Sequence, residues 1–164
     1  MASDLNQTRS DSSEQHHDLD QLESLLWRRF MSTNTRLMER LDHDLQERSH
    51  LSITDFEILS TLSREPSQRI RMSDLATVVL VSRSRLTYRI DRLTKVGLVT
   101  REECDLDKRG MWAILTRKGK NTLAKATPGY AADIHNRFLA HLDADAIVLL
   151  NNLLSLMDDN LARS

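Results

Sequence analysis

Two short helical patterns joined by a very tight connection constrain the fold of this chain more than any other feature. Each pattern turns apolar residues to one side at helical spacing. These residues are Leu75, Ala76 and Val79 in the first pattern, and Leu86, Ile90 and Leu93 in the second. Ser73 and Ser82 are placed as N-caps, and Gly97 is placed as a C-terminal stop. Two helices at this spacing predict a helix-turn-helix.

A hairpin is predicted directly after this pair of helices. Residues 98–103 and 111–116 have the pattern of short strands, and the charged segment between them contains the turn residue Gly110. A helix-turn-helix followed by a two-stranded hairpin is a winged helix-turn-helix. We predict this architecture for residues 51–117.

Two helices are predicted before this unit. The first covers about 19–48, where Asp18 and Gln21 have the spacing of a capping box. Thr54 and Glu57 repeat that start signal before a short helix, which Pro66 ends.

The C-terminal part is predicted to be helical as well. Helix is expected over about 118–142, with a bend near Pro128, and Asp143 caps a last helix. The apolar residues of that last helix alternate by three and four, as in a coiled-coil seam. This spacing predicts a homodimer, although the stripe could instead pack within its own chain.

The chain is therefore predicted to be mainly α, in four parts. Residues 1–17 are polar and lack periodic apolar side chains, which predicts a disordered arm. Residues 18–50 form a dimerisation helix, residues 51–117 the winged helix-turn-helix, and residues 118–164 the C-terminal dimerisation helices. With only 2 Pro and 4 Gly, the chain has few helix breakers, which suits this division.

The charge is distributed unevenly along the chain. The net charge is −1, but residues 64–120 contain 14 basic and 7 acidic residues, whereas the rest contains 9 basic and 17 acidic residues. A basic middle between acidic ends indicates a face for a polyanion. The alternative is a set of solvated helix faces.

The second helix of the helix-turn-helix has the composition of a helix that reads double-stranded DNA. Arginine donates hydrogen bonds to guanine edges and phosphates, and hydroxyl groups reach phosphates or bases. The positive N-terminus of the helix favours a phosphate. The candidate DNA-binding residues are Ser82, Arg83, Ser84, Arg85, Thr87, Tyr88 and Arg92. Asp91 is the one acidic residue between Ser82 and Gly97.

The tip of the hairpin supplies a second set of candidates. Lys108 and Arg109 are predicted to contact DNA, with Arg109 in the minor groove and an acid such as Asp107 holding it in position. Taken alone, this tip could be a solvated turn; after a helix-turn-helix, a DNA-binding wing is the better interpretation.

These residues together resemble the MarR family of bacterial regulators. The resemblance rests on the Ser82…Thr87…Asp91-Arg92-Leu93 pattern, on Gly97-Leu98-Val99 and Arg101, on the Asp107-Lys108-Arg109-Gly110 wing tip, and on Leu115-Thr116…Gly119. The order of elements from about 19 to 161 also fits the family. The wing motif after a helix-turn-helix is the specific signal.

The resemblance implies a triangular homodimer, joined by its first, fifth and sixth helices, on a pseudo-palindromic operator. It implies that Asp91 pairs with Arg109, so that Asp91 and Asp107 position the wing. It further implies a transcriptional repressor relieved by a small phenolic or anionic ligand, or by thiol oxidation.

The remaining candidates carry weaker signals. Trp27 could line an effector pocket, although such a tryptophan is more often core or interface. Cys104, the lone cysteine, excludes an internal disulfide and fits a reducing compartment, and it is either a redox sensor or a passive strand residue.

No metal site, cofactor, catalytic constellation, membrane span or signal segment is predicted, and we expect a cytoplasmic protein. The six histidines show no metal-ligand spacing. The alternatives to a ligand-responsive repressor are an activator or a constitutive architectural regulator without a ligand, a redox-responsive regulator that acts through Cys104, and a winged helix used for protein–protein contact. Arg85, Arg92 and Arg109 argue against the last alternative.

Overall fold

The computed structural model describes residues 18–104 and 107–163, which are mainly helical. Its elements in chain order are α1 (Gln21–Ser49), α2 (Ile53–Arg64), β1 (Arg69–Arg71), α3 (Met72–Val78), α4 (Arg83–Lys95), β2 (Val99–Cys104), β3 (Asp107–Leu115), α5 (Arg117–Arg137), a 3₁₀ turn (Leu139–His141) and α6 (Ala144–Leu161). The predicted mainly α fold with a winged helix-turn-helix is confirmed. The predicted arm, residues 1–17, lies outside the described residues.

Two compact units divide between Asn34 and Thr35. The unit from Thr35 contains the hydrophobic core, which is built mainly from leucines and other apolar side chains of α1 to α5 and the sheet. Its fully buried members include the predicted stripe of α4, Leu86, Ile90 and Leu93. Burial of three large side chains on one face fixes the rotation of α4 about its axis. The opposite face of α4 is therefore directed to solvent.

The helix starts of α1, α2 and α3 differ from the predicted ones. Asp20 and Glu23 cap α1 reciprocally, with backbone-to-carboxylate distances of 2.9 and 2.8 Å, instead of Asp18 and Gln21. Ser52 caps α2, and its capping box is completed by Asp55 rather than formed by Thr54 and Glu57. In both observed pairs the carboxylate at the third helical position accepts the backbone amide of the N-cap residue.

Ser73 does not cap α3, which begins one residue before it and has Arg71 at its N-cap position without a side-chain bond. The reason is strand β1, which the sequence analysis did not predict. β1 pairs antiparallel with β3, with Arg71 opposite Trp112, so the chain enters α3 directly from a sheet strand. The caps at Ser82 and Asp143 are confirmed.

The connection between α3 and α4 is as tight as predicted. The amide of Val81 donates to the carbonyl of Ala76 at 3.1 Å, and Leu80 adopts a left-handed backbone with φ of 52°. A non-glycine residue in that region costs roughly 1–2 kcal/mol. Gly97 takes the left-handed conformation that ends α4, with φ of 74°, as predicted.

The hairpin is longer than predicted, because β3 begins at Asp107 instead of Met111. The sheet order is β1-β3-β2, and the pairing of β2 with β3 is irregular between Glu103 and Cys104. The bend predicted near Pro128 stays a prediction. Pro128 lies inside α5, which continues to Arg137 and is followed by the 3₁₀ turn. A proline removes one helical hydrogen bond without necessarily ending the helix.

Two helical faces expose many apolar side chains. In the unit that ends at Asn34, α1 exposes Leu22, Leu26, Trp27 and Phe30. In the other unit, α6 has no buried residue among its described positions, and Leu149, Leu153 and Met157 are among its exposed apolar side chains. Among the described residues no single helix is long and apolar enough to cross a membrane; one pair of segments, joined by a bend of 102°, meets the length and composition test only together.

Candidate nucleic-acid interface

Helix α4 presents a polar and basic face to solvent. The predicted DNA-binding residues of this helix and its cap are all exposed: Ser82, Arg83, Ser84, Arg85, Thr87, Tyr88 and Arg92. Tyr88 is 68% exposed, whereas tyrosine is on average intermediate between buried and exposed residue types. An exposed aromatic ring with a hydroxyl, flanked by arginines, suits contact with bases or phosphates.

The N-terminus of α4 is held open toward solvent. The Ser82 hydroxyl accepts a hydrogen bond from the amide of Arg85 at 3.3 Å, and it lies 3.2 Å from the hydroxyl of Ser84. This cap uses one of the amides at the helix start, and the positive end of the helix dipole remains at the exposed surface. Together with Arg83, it favours an anion at this end.

On the side toward α2, a buried carboxylate engages α4. Asp55 is fully buried, and its Oδ2 accepts the Ser52 amide at 2.9 Å and the Ser52 hydroxyl at 2.6 Å. The Arg92 guanidinium donates to the same oxygen, and Arg89 Nη1 lies 3.7 Å from it. Arg92 was predicted to contact DNA. The structure instead directs its guanidinium to Asp55, because Arg92 lies on the side of α4 that packs near α2.

On the side toward the sheet, a second ion pair holds α4, and here the helix supplies the acid and the sheet supplies the arginine. Arg101 of β2 places Nη1 2.8 Å from Asp91 Oδ1, and its Nη2 donates to the Thr87 carbonyl at 3.1 Å. The structure thus pairs Asp91 with Arg101, because β2 packs alongside α4. The side chain of Arg109 lies outside what the structure describes, so the pairing of Asp91 with Arg109 that the family resemblance implies stays a prediction.

A cleft of about 410 Å³ lies between α3, α4 and the sheet. Its lining includes three arginines and is completed by small and apolar groups: Arg71, Met72, Ser73, Arg83, Leu86, Thr87, Arg101, Gly110 and Met111. On the sheet beside it, the guanidinium carbons of Arg69 and Arg71 lie 5.0 and 5.5 Å from the centre of the Trp112 ring. Cation–π contacts at these distances stabilise the positions of both arginines.

The tip of the wing is described only in part. The backbone of Asp107, Lys108 and Arg109 belongs to β3, but their side chains lie outside what the structure describes. Their predicted roles as DNA-binding and wing-positioning residues therefore stay predictions.

The other two candidate residues belong to elements other than α4. Cys104 ends β2 and is buried, so its thiol is shielded from oxidants. Trp27 is 56% exposed on α1, with its ring centre 6.0 Å from that of Phe30. In the described parts of the chain, no group of three or more His, Cys, Asp or Glu side chains is placed to hold a metal ion.

Three of the charged residues that hold α4, Asp55, Arg89 and Arg101, were not singled out as site residues by the sequence analysis. Asp55 and Arg89 went unnoticed, although Ser52 and Asp55 have the spacing of a capping box. Arg101 was noted only as part of a family pattern. A charged residue that follows a buried strand position by two, as Arg101 follows Val99, was the available signal for an inward-facing arginine.

Comparison with known proteins shows which family has this architecture. The MarR family model matches residues 51–111. The transcriptional repressor MprA of Escherichia coli (strain K12) is 30% identical over 125 residues, which cover 76% of this chain and 70% of MprA. The chain belongs to the MarR family.

Two solved MarR-family structures from Streptomyces coelicolor are similar over nearly the whole fold. AbsC is 35% identical with a TM-score of 0.85, and the match covers 90% of this chain and 99% of AbsC. Sco3205, which was crystallised in complex with DNA, is 31% identical with a TM-score of 0.88, covering 90% and 92%. MarR-family proteins are DNA-binding transcriptional regulators and not enzymes, and this chain is one of them.

The pair between Arg101 and Asp91 predicts a small, salt-sensitive coupling in stability. Arg101→Ala and Asp91→Ala should each destabilise the chain, and the double variant should be less destabilised than their sum by about 0.5 kcal/mol, because both side chains are partly solvated. Urea unfolding at low and high salt measures this coupling. A coupling that is zero at low salt would show that the pair does not join α4 to β2.

Proposed function

We propose that this MarR-family chain is a ligand-responsive repressor that binds a pseudo-palindromic operator as a homodimer. The observation that carries the DNA-binding part is the exposed face of α4, where hydroxyl and guanidinium groups surround Tyr88 while three aliphatic residues anchor the opposite face. A helix anchored in this way can enter the major groove without changing its rotation. The exposed groups then meet base edges and phosphates.

The proposed contacts divide between two grooves. Ser84, Arg85 and Tyr88 lie where α4 would face the major groove, which carries a distinct pattern for each base pair. Lys108 and Arg109, on the wing, are assigned to the backbone and the minor groove, where width matters more than base identity. Ser82, Arg83 and Thr87 are assigned to phosphates near the start of the helix.

The homodimer is proposed because two apolar faces are uncovered in the single chain. Leu153 and Met157 on α6 are 44% and 56% exposed, and Leu22 on α1 is 74% exposed. Exposed apolar side chains repeated along a helix mark an interaction surface. A second copy of the chain would cover both faces and would place two copies of α4 on successive half-sites. The domain division into dimerisation helices at 18–50 and 118–164 belongs to this proposal.

Repression and ligand response are the finer parts of the proposal. MprA, a relative, is named a transcriptional repressor. A small phenolic or anionic effector is proposed, with Trp27 as a candidate for its pocket, and the protein is expected to act in the cytoplasm. The redox alternative through Cys104 is less favoured, because that thiol is buried. A protein–protein role is less favoured as well, because Arg83 and Arg85 are exposed on α4.

The dimer proposal predicts the effect of a charge on α6. Leu153→Asp should give a monomer, because it would bury a carboxylate in the seam at a cost of several kcal/mol. Asn152→Asp adds the same charge on another face of α6 and should stay dimeric. Analytical ultracentrifugation distinguishes the two. If Leu153→Asp sediments as a dimer and binds DNA as the original chain does, α6 is not the dimer seam.

Because Arg85 is assigned to the major groove and Arg109 to the minor groove, their substitutions should change DNA affinity in different ways. The probes are a duplex that the protein selects from a random-sequence pool and a shuffled duplex of equal length. Arg85→Ala should weaken binding to the selected duplex more than to the shuffled one, because a bidentate contact to guanine discriminates by ~1–3 kcal/mol. Arg109→Ala should weaken binding to both duplexes by similar factors. It should also reduce the salt slope, which is the slope of the logarithm of the binding constant against the logarithm of the salt concentration, by roughly one released ion.

Fluorescence anisotropy at several salt concentrations measures both effects. Small and equal effects of the two substitutions on both duplexes would mean that neither arginine contacts DNA. The basic middle of the chain would then be a solvated surface.

A further inference from the structure

We infer that Asp55 is a positioning residue for DNA reading: it acts as an internal counter-ion that keeps Arg89 and Arg92 of α4 away from DNA phosphates. This inference rests on the proposed function, because it concerns how α4 divides its cations between the protein and DNA. Asp55 itself lies on α2, is fully buried and cannot touch a nucleic acid.

The hydrogen bonds of Asp55 fix the direction of its carboxylate. Its Oδ2 accepts the amide and the hydroxyl of Ser52, the N-cap of α2, so the carboxylate cannot turn without breaking the capping box. Arg92 donates to this oxygen, and Arg89 Nη1 donates to the Ser52 hydroxyl at 3.1 Å while lying 3.7 Å from the carboxylate. Both arginines are thus directed to one anchored group.

The energetic asymmetry keeps the group paired. A carboxylate at zero exposure is costly without a cationic partner, whereas Arg92 is 45% exposed and would be hydrated if it were released. If the ion pair were broken, most of the free-energy cost would therefore come from the unpaired, buried carboxylate of Asp55. A DNA phosphate, which is solvated and surrounded by counter-ions, competes poorly for an arginine on these terms.

The consequence concerns specificity. Helix α4 carries five basic residues, Arg83, Arg85, Arg89, Arg92 and Lys95. Every arginine that reaches a phosphate adds affinity that is independent of sequence. Holding two of the five on Asp55 lowers binding to random DNA and fixes how α4 is rotated against α2, so that base contacts decide the affinity.

The first test compares two arginines on α4. Arg92→Gln should leave the salt slope of binding to a shuffled duplex unchanged, because Arg92 is held by Asp55. Arg85→Gln, the matched control with the same charge change, should lower the slope by about one ion. The full chain and fluorescence anisotropy are used, and circular dichroism verifies folding. If Arg92→Gln lowers the slope as much as Arg85→Gln, Arg92 binds phosphate and the inference is overturned.

The second test releases the arginines. Asp55→Asn should steepen the salt slope on the shuffled duplex by about one to two ions, and should lower the ratio of selected to shuffled affinity about fivefold or more. Adding Arg92→Gln to this variant should remove about one ion of the gain. Glu57→Gln, on the same helix, makes the same charge change and should alter neither quantity. A variant that is only loosened would bind both duplexes more weakly and would not steepen the slope.

The outcomes separate the inference from the proposed function. If the original chain selects no sequence from the random pool, the proposed function is wrong and the inference falls with it. If it selects a sequence but a folded Asp55→Asn chain keeps the original slope and ratio, only the inference is overturned. Should Asp55→Asn fail to fold, the comparison of Arg92→Gln with Arg85→Gln decides alone.

Discussion

The ion pair between the buried Asp55 and the arginines of α4 is the interaction on which the orientation of the exposed face of α4 depends. Aliphatic side chains fix the rotation of α4, and the buried carboxylate adds a directional contact that is costly to break, because it would leave an unpaired buried charge. Because Ser52 anchors that carboxylate in the capping box of α2, the start of one helix and the orientation of another are fixed by the same oxygen.

A second contact acts on the other side of α4 with the charges reversed. There the helix supplies the acid, Asp91, and the sheet supplies the arginine, Arg101, which also bonds the backbone of Thr87. The helix is therefore tied to α2 and to β2 through different residues. The face between these two attachments, which carries Ser84 and Tyr88, is left for solvent or for DNA. We propose that these two attachments hold α4 in the orientation in which it meets the DNA groove.

The sequence predicted the parts of the fold that leave a local pattern. The stripe Leu86, Ile90 and Leu93, the cap at Ser82 and the stop at Gly97 could all be inferred from spacing, and so could the face opposite the stripe. The ion-pair partners of the charged residues could not be inferred in this way. The contact of Asp91 with Arg101 depends on where β2 lies against α4, which no local pattern encodes. Strand β1 has three residues, too few for a period, and it forms because β3 is there to pair with.

The most direct test of this account is to find which amides DNA protects. Hydrogen exchange of the full chain is measured by mass spectrometry, with and without a duplex selected from a random pool. The account predicts added protection at residues 82–95 and in the strands 99–104 and 107–115, with no added protection along α5 from 117 to 137. Protection confined to α5 or α6, with residues 82–95 unchanged, would contradict the claim that α4 and the wing are the DNA-reading surface.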